Sequence, residues 1–119
     1  MTREDSRNPA HLSLGIQHLQ IALSYAERGR RVFFDERNPD TSRLAKSELL
    51  KAYESMNRLG ASFWSANPTV PRDRIGKTRQ LLTHYYAGID RKEIWRIGSR
   101  DPHPLLHLLM KAKIPKARS

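Results

Sequence analysis

The stretch "RQLLTHYYAGID", residues 79–90, places an arginine, a histidine and two tyrosines within a pattern that predicts a helix. Histidine can take the 2′-hydroxyl proton of RNA or protonate the leaving oxygen, and arginine can offset charge on a phosphorane-like transition state. Arg79 and His84 therefore suit acid–base cleavage of a phosphodiester, and RNA is favoured because DNA lacks the 2′-hydroxyl. The alternative is that Arg79 pairs with a nearby carboxylate and His84 is an exposed helix residue.

A helical wheel separates Arg79 and His84 by about 140°, so the two side chains do not stack on one another. The strip between them consists of small or polar residues, namely Gly76, Gln80 and Thr83. Glycine costs a helix about 1 kcal/mol relative to alanine, which predicts that another backbone or a substrate approaches Gly76 closely. Tyr86 falls nearly above Arg79 at i+7. A second copy packed across the strip would double the set and form a cleft.

Apolar residues recur with a helical period over most of the chain. The predicted helices cover residues 9–27, 41–66, 71–87, a segment after Asp90, and 105–112. The second of these would be a rod of about 38 Å. Asp90 and Glu93 form a capping box for the helix that follows them. The core arc of the third helix is predicted to comprise Ile75, Leu81, Leu82, Tyr85 and Tyr86.

Four to five helices with short connections predict an all-α fold, an up-and-down bundle, because no strand pattern of period two extends over a useful length. The helical domain is predicted to cover residues 9–112. Residues 1–8 are expected to be a flexible N-terminus. Residues 113–119 are expected to be a basic C-terminal tail. Four basic residues at this end either touch RNA phosphates or belong to a mobile, solubilising tail, namely Lys111, Lys113, Lys116 and Arg118.

The charge balance points towards polyanions, since 22 lysines and arginines stand against 12 acidic residues, a formal net charge of +10. RNA or DNA is the first candidate partner, and an acidic protein is the alternative. No apolar stretch approaches 18 residues, and the N-terminus lacks the apolar region of a signal peptide. The absence of cysteine removes thiolate nucleophiles and cysteine-ligated zinc, and it fits a cytoplasmic location.

The other histidines and the paired aromatic residues favour structural roles. His18, His103 and His107 lack the spacing of a metal site, so no metal and no cofactor are expected. Two aromatic pairs could stack on bases, but helical spacing favours core or dimer contacts. These pairs are Phe33-Phe34 and Phe63-Trp64.

The pattern Arg79-x4-His84-x-Tyr86 resembles the R-x4-H-x-Y motif of the HepT-like toxins, a branch of the HEPN superfamily. The similarity extends over roughly residues 10–110. Its flanking elements are Val70-Pro71-Arg72, Gly76, Gly88-Ile89-Asp90, Ile94-Trp95, Asp101 and Pro104-Leu105. Two positions depart from the family pattern: Gln80 stands where Asn or Asp is usual, and Arg72 replaces an aromatic residue.

This resemblance implies a HEPN-like helical homodimer with the two motifs facing each other, and a metal-independent endoribonuclease in a type VII toxin–antitoxin module. Arg79 and His84 would be catalytic, and Tyr86 would support them or accept AMP. The partner would be a minimal nucleotidyltransferase antitoxin, in a possible higher assembly with the dimer. Gln80, Thr83 and Gly76 would line the site. The alternative is a catalytically inactive HEPN module that binds the nucleotidyltransferase, and a basic RNA binder without chemistry is a third hypothesis.

Overall fold

The computed structural model describes residues 3–84, 86–100 and 102–115, and of residues 3 and 4 it describes the backbone. All regular structure in these ranges is helical, which confirms the predicted all-α fold. The helices are α1 (Arg3–Ser6), α2 (Asn8–Ala26), α3 (Arg30–Phe33), α4 (Asp40–Asn57), α5 (Ala61–Ala66), α6 (Arg72–His84), α7 (Arg91–Ser99) and α8 (Pro102–Met110). No helix of the described ranges is both long enough and apolar enough to cross a bilayer.

The long helices alternate in direction. The first half of α2 lies against the end of α4, since Gly15 approaches Met56, and the middles of the two helices meet where His18 Nδ1 lies 2.5 Å from Glu48 Oε2. Arg28, two residues beyond α2, reaches Thr41 at the start of α4. Helix α6 also runs antiparallel to α4, because the Lys46 ammonium on α4 bonds the Tyr86 carbonyl just beyond the end of α6. The bundle is elongated, with extents of 55 × 25 × 20 Å.

The core lies where α2 and α4 pack against α6, α7 and α8. Its most deeply buried aliphatic side chains are Leu19, Leu49, Met56, Ile75, Leu82, Ile97 and Leu109. The two longest helices approach closely at Gly15, where a Cβ atom would lie 3.1 Å from Met56 Cγ. Gly15 therefore permits the closest part of the α2–α4 contact, and that pairing forms the scaffold on which α6 rests.

The predicted rod over 41–66 is wrong, because two helices, α4 and α5, occupy this range with a break between Asn57 and Ala61. The backbone N–H of Gly60 donates to Asn8 Oδ1 at 2.8 Å instead of continuing the ladder of α4. Asp5 Oδ1 likewise accepts from the Ser62 N–H at 3.2 Å. These bonds join residues more than 50 positions apart, so a local pattern does not reveal the break.

The same contacts alter the predicted domain limits. Asp5 and Asn8 are buried against the α4–α5 connection, so these two residues pack with the helical domain instead of lying in a flexible segment over 1–8. At the other end, Asn67 bonds both the N–H and the carbonyl of Lys113, at 2.8 and 2.7 Å. The packed region therefore reaches at least Lys113. Lys116 and Arg118 lie outside the described residues.

Helix α6 and its exit differ in detail from the predicted helix over 71–87. The helix ends at His84, and Tyr86 to Gly88 form a turn. Asp90 caps α7 as predicted, accepting from the Glu93 N–H at 2.9 Å, but the Glu93 carboxylate pairs with Arg96 instead of completing the capping box. Two predicted positions, Tyr85 and Asp101, lie outside the described residues.

Candidate functional site

Helix α6 carries the predicted site, and its orientation is set by two apolar side chains. The Pro71 carbonyl accepts the first helical bond from the Ile75 N–H at 3.0 Å, as expected for a proline at a helix start. Ile75 and Leu82, seven positions apart, are 1% and 0% exposed and anchor one face in the core. The strip from Gly76 to His84 consequently turns away from the centre of the bundle.

Arg79 is half-buried on the shoulder of this face. Its Nε atom is buried and has no hydrogen-bond partner among the described residues. The ion pairs formed within those residues do not include Arg79. An unsatisfied buried donor costs about 1–3 kcal/mol, so this N–H is a local cost to the fold that no described residue offsets. The described residues therefore do not form the ion pair between Arg79 and a carboxylate that was the alternative prediction.

His84 is exposed near the C-terminal end of α6, on a different side of the helix from Arg79. Together with Gln80, Lys77 and Leu81 it lines an open depression on the outer surface. Thr83 is exposed beside it. The structure therefore brings His84 and Gln80 together, whereas Arg79 and His84 do not converge on one point within a single chain.

Gly76 lies one turn before Gln80, in the strip between the two motif residues. A Cβ atom built at Gly76 would meet nothing within 4 Å. The predicted close approach is thus not made by the described residues of this chain. Since glycine costs a helix about 1 kcal/mol relative to alanine, the contacts of the described residues do not explain Gly76.

Tyr86 does not lie where the helical wheel predicted, because α6 ends at His84 and the tyrosine lies in the following turn. Its ring is half-buried, and the Lys46 ammonium lies 4.3 Å from the ring centroid. The same ammonium donates to the Tyr86 carbonyl at 3.0 Å. Lys46 was missed by the sequence analysis because it precedes Tyr86 by 40 residues and carries no motif.

The remaining candidates have separate environments. His18 pairs with Glu48, whereas His103 and His107 are exposed on α8. In the described ranges, no three histidine or carboxylate side chains form a group that could hold a metal ion. Phe33, Phe63 and Trp64 are buried in the core, and Phe34 and Trp95 are half-buried beside Phe33.

A family model described as "Ribonuclease HepT-like" matches residues 16–112, a range that contains α6 and every predicted site residue. The chain belongs to the HepT-like ribonuclease family. Among solved structures, none gives a significant match to it. Membership confirms the suspected resemblance at the level of the family, and it associates the helical bundle with ribonucleases of toxin type. The first 15 residues lie outside the matched HepT-like region.

Proposed function

We propose that this HepT-like protein is a toxin that cleaves RNA without a metal ion, at a cleft formed by two copies of the chain. The observation that carries the proposal is the Arg79 guanidinium, which is half-buried and has no partner for its Nε donor among the described residues. A half-buried guanidinium that no carboxylate of the described residues neutralises keeps its positive charge for the stabilisation of a phosphorane-like transition state. His84, five residues later and exposed, suits proton transfer.

The chemistry needs no group beyond these side chains and the RNA. His84 takes the proton of the 2′-hydroxyl, and the 2′-oxygen attacks the adjacent phosphorus. The bond to the 5′-oxygen breaks, and the leaving oxygen takes a proton from the histidine of the second copy. Arg79 binds the non-bridging oxygens, whose negative charge rises in the transition state. The products are a 2′,3′-cyclic phosphate and a 5′-hydroxyl.

A two-fold dimer explains why the two motif residues diverge by about 140° on one helix. Packing two α6 helices across the strip of Gly76, Gln80 and Thr83 would place the Arg79 of one copy towards the His84 of the other. The open space at Gly76 supports this arrangement, because a second backbone can approach there. The dimer thus supplies the close approach that the chain itself does not make.

The regulatory partner in this proposal is a minimal nucleotidyltransferase that acts as antitoxin in the cytoplasm. It transfers AMP from ATP to the Tyr86 hydroxyl, which loses its proton as pyrophosphate leaves. The half-buried phenol and the Lys46 ammonium 4.3 Å from its ring support this assignment, because the cation would attract the phosphate of the incoming nucleotide. Intact mass after co-expression should rise by one or more AMP units, and Tyr86→Phe should abolish the increase. An unchanged mass would leave masking by complex formation as the mode of control.

The decisive experiment measures RNA cleavage by the purified protein in EDTA. His84→Ala should reduce the rate at least about 10²-fold, the usual contribution of a general acid or base. His103→Ala is the matched control, since it removes an exposed histidine from α8 and should retain full activity. Cleavage that EDTA abolishes, or that His84→Ala leaves intact, would contradict the proposed mechanism.

A second candidate function is that of an inactive module that only binds the nucleotidyltransferase. The observation in its favour is Gln80, which departs from the family pattern and lines the same depression as His84. Its longer side chain places the amide differently from Asn. Under this hypothesis the wild-type protein would bind its partner without cutting RNA, and Gln80→Asn would raise cleavage above background.

A further inference from the structure

A pocket of about 810 Å³ lies at the opposite end of α6 from His84, where α2 begins and α4 ends. Among the described residues that line it, four are cationic or can become so, namely Arg7, His11, Arg58 and Arg72, and none is acidic. We refer to it as the Arg58 pocket. Twelve residues separate Arg72 from His84, so the two ends of the helix are about 18 Å apart.

The wall of the Arg58 pocket is held by long-range hydrogen bonds. Asn8 and Asp5 bond the Gly60 and Ser62 N–H groups, which fixes the start of α2 against the α4–α5 connection. Arg7 directly precedes Asn8, and Arg58 lies two residues before Gly60, so both are carried on backbone next to the bond between Asn8 and Gly60. The pocket is therefore formed in a single chain.

Arg72 is supported by a buried indole. Its guanidinium lies 5.3 Å from the centroid of the Trp64 ring. Trp64 Nε1 donates to the Leu59 carbonyl at 2.9 Å, which fixes the ring beneath the arginine. Stacking leaves the edge of a guanidinium free to donate, and arginine commonly binds phosphate in this manner.

The electrostatics of the pocket show an excess of positive charge. Burial, and then the nearby charges of Arg58 and Arg7, lower the pKa of His11 below its ordinary value. Asp5 packs against Gly60 in the wall, but its carboxylate accepts from the Ser62 N–H. Bringing an anion into this pocket would relieve the repulsion among its cations.

We propose that the Arg58 pocket binds a phosphate group carried by a nucleotide, either a phosphodiester of a nucleic-acid strand or the phosphates of a free nucleotide. Three arginines in one concavity offer the planar donor pairs that match phosphate oxygens. Arg7 and His11 precede the region that the HepT-like family model matches, so half of the cationic lining lies outside that region. This proposal depends on the proposed function in one respect: a nucleic-acid strand bound in the pocket would be the RNA that the protein cleaves.

The test follows His11 by NMR as pH is varied, with and without two phosphate probes. The probes are ATP and a single-stranded DNA oligomer, which carries phosphodiesters but lacks the 2′-hydroxyl that the proposed cleavage needs. A bound phosphate should raise the pKa of His11, because negative charge favours the imidazolium. The probe that acts at the lower concentration identifies the source of the phosphate. An unchanged His11 pKa with both probes would overturn the proposal.

Arg58→Ala and Arg37→Ala form a matched pair for this test. Each removes one positive charge from an exposed arginine, and the Arg37 side chain is 94% exposed at a site outside the pocket. Arg58→Ala should weaken binding of the effective probe about tenfold, as expected for a charge-assisted hydrogen bond. Equal weakening by both variants would show attraction by net charge alone and would contradict a specific site.

The outcomes separate this proposal from the catalytic one. His11 should respond to the probes equally in the His84→Ala protein, because His84 lies at the other end of α6. RNA cleavage without a His11 response would reject the pocket and leave the ribonuclease proposal standing. A His11 response in a protein that never cleaves RNA would reject the ribonuclease proposal and keep the pocket.

Discussion

The two ends of α6 carry positive charge in different ways. At the C-terminal end, Arg79 has a buried donor without a partner in the described chain, and His84 faces an open depression. At the N-terminal end, Arg72 rests on a fixed indole in a pocket whose wall is closed by long-range hydrogen bonds. The Arg58 pocket is therefore closed by contacts within one chain, whereas Arg79 and His84 face different sides of α6.

Two glycines show the same difference between the pocket end and the motif end of α6. At Gly60 a Cβ atom would collide with the Asp5 carboxylate and lie 3.1 Å from the Asp5 nitrogen, so the packing of this chain requires glycine. At Gly76 a Cβ atom would meet nothing within 4 Å. The contacts of the fold explain Gly60. Gly76 is explained only if another molecule approaches the strip of Gly76, Gln80 and Thr83. This difference is what the proposed dimer cleft predicts, because in that dimer a second chain approaches Gly76.

The largest effect is expected at Arg79. Replacing it by alanine removes the cation proposed to face the scissile phosphate, and loss of one transition-state donor typically lowers kcat by about 10²–10³. Steady-state cleavage of an RNA oligomer measures the change. Arg74→Ala is the control, because it removes the same charge from an exposed position on the same helix. If both variants lost activity equally, general attraction of RNA would replace catalysis as the role of Arg79.

Gly60→Ala should have the next largest effect, on stability at the pocket end. The added methyl group cannot fit without displacing Asp5, and overpacking of this kind costs about 1–3 kcal/mol. Urea unfolding followed by circular dichroism measures the loss. Gly88→Ala is the matched control, because a Cβ atom there meets nothing within 4 Å and its φ angle is not positive. A Gly60→Ala protein as stable as this control would show that the contact between Asp5 and Gly60 is easily displaced.

The features that the sequence predicted are local, and those that it did not predict depend on residues far apart in the chain. Local patterns predicted α2, the Asp90 cap and the core positions Ile75 and Leu82, because each depends on neighbours within one or two turns. The break before α5 depends on Asn8, 52 positions from Gly60, and the contact at Tyr86 depends on Lys46. Pairings over such separations leave no periodic signal in one sequence, so the Arg58 pocket could not be predicted.

The family motif could be recognised without any of these pairings, because Arg79, His84 and Tyr86 are close in sequence. The positions of these three side chains in the fold were predicted less well than the motif itself. The wheel placed Tyr86 on the helix above Arg79, but α6 ends at His84 and turns the tyrosine towards α4. The roles of these three residues remain predictions, since family membership does not assign them individually.

The smallest effect, and the one that separates the two ends most cleanly, is expected from Gly76→Ala. In an isolated chain the methyl group meets open space, so it should stabilise α6 by up to about 1 kcal/mol through helix propensity. In a dimer packed across the strip, the same methyl group would separate the two helices and lower RNA cleavage. Thermal unfolding at a protein concentration too low for dimers should therefore show higher stability, whereas cleavage at concentrations that form the dimer should fall. A variant that gained stability and kept full activity would show that nothing approaches Gly76, and the dimer cleft would then need another face.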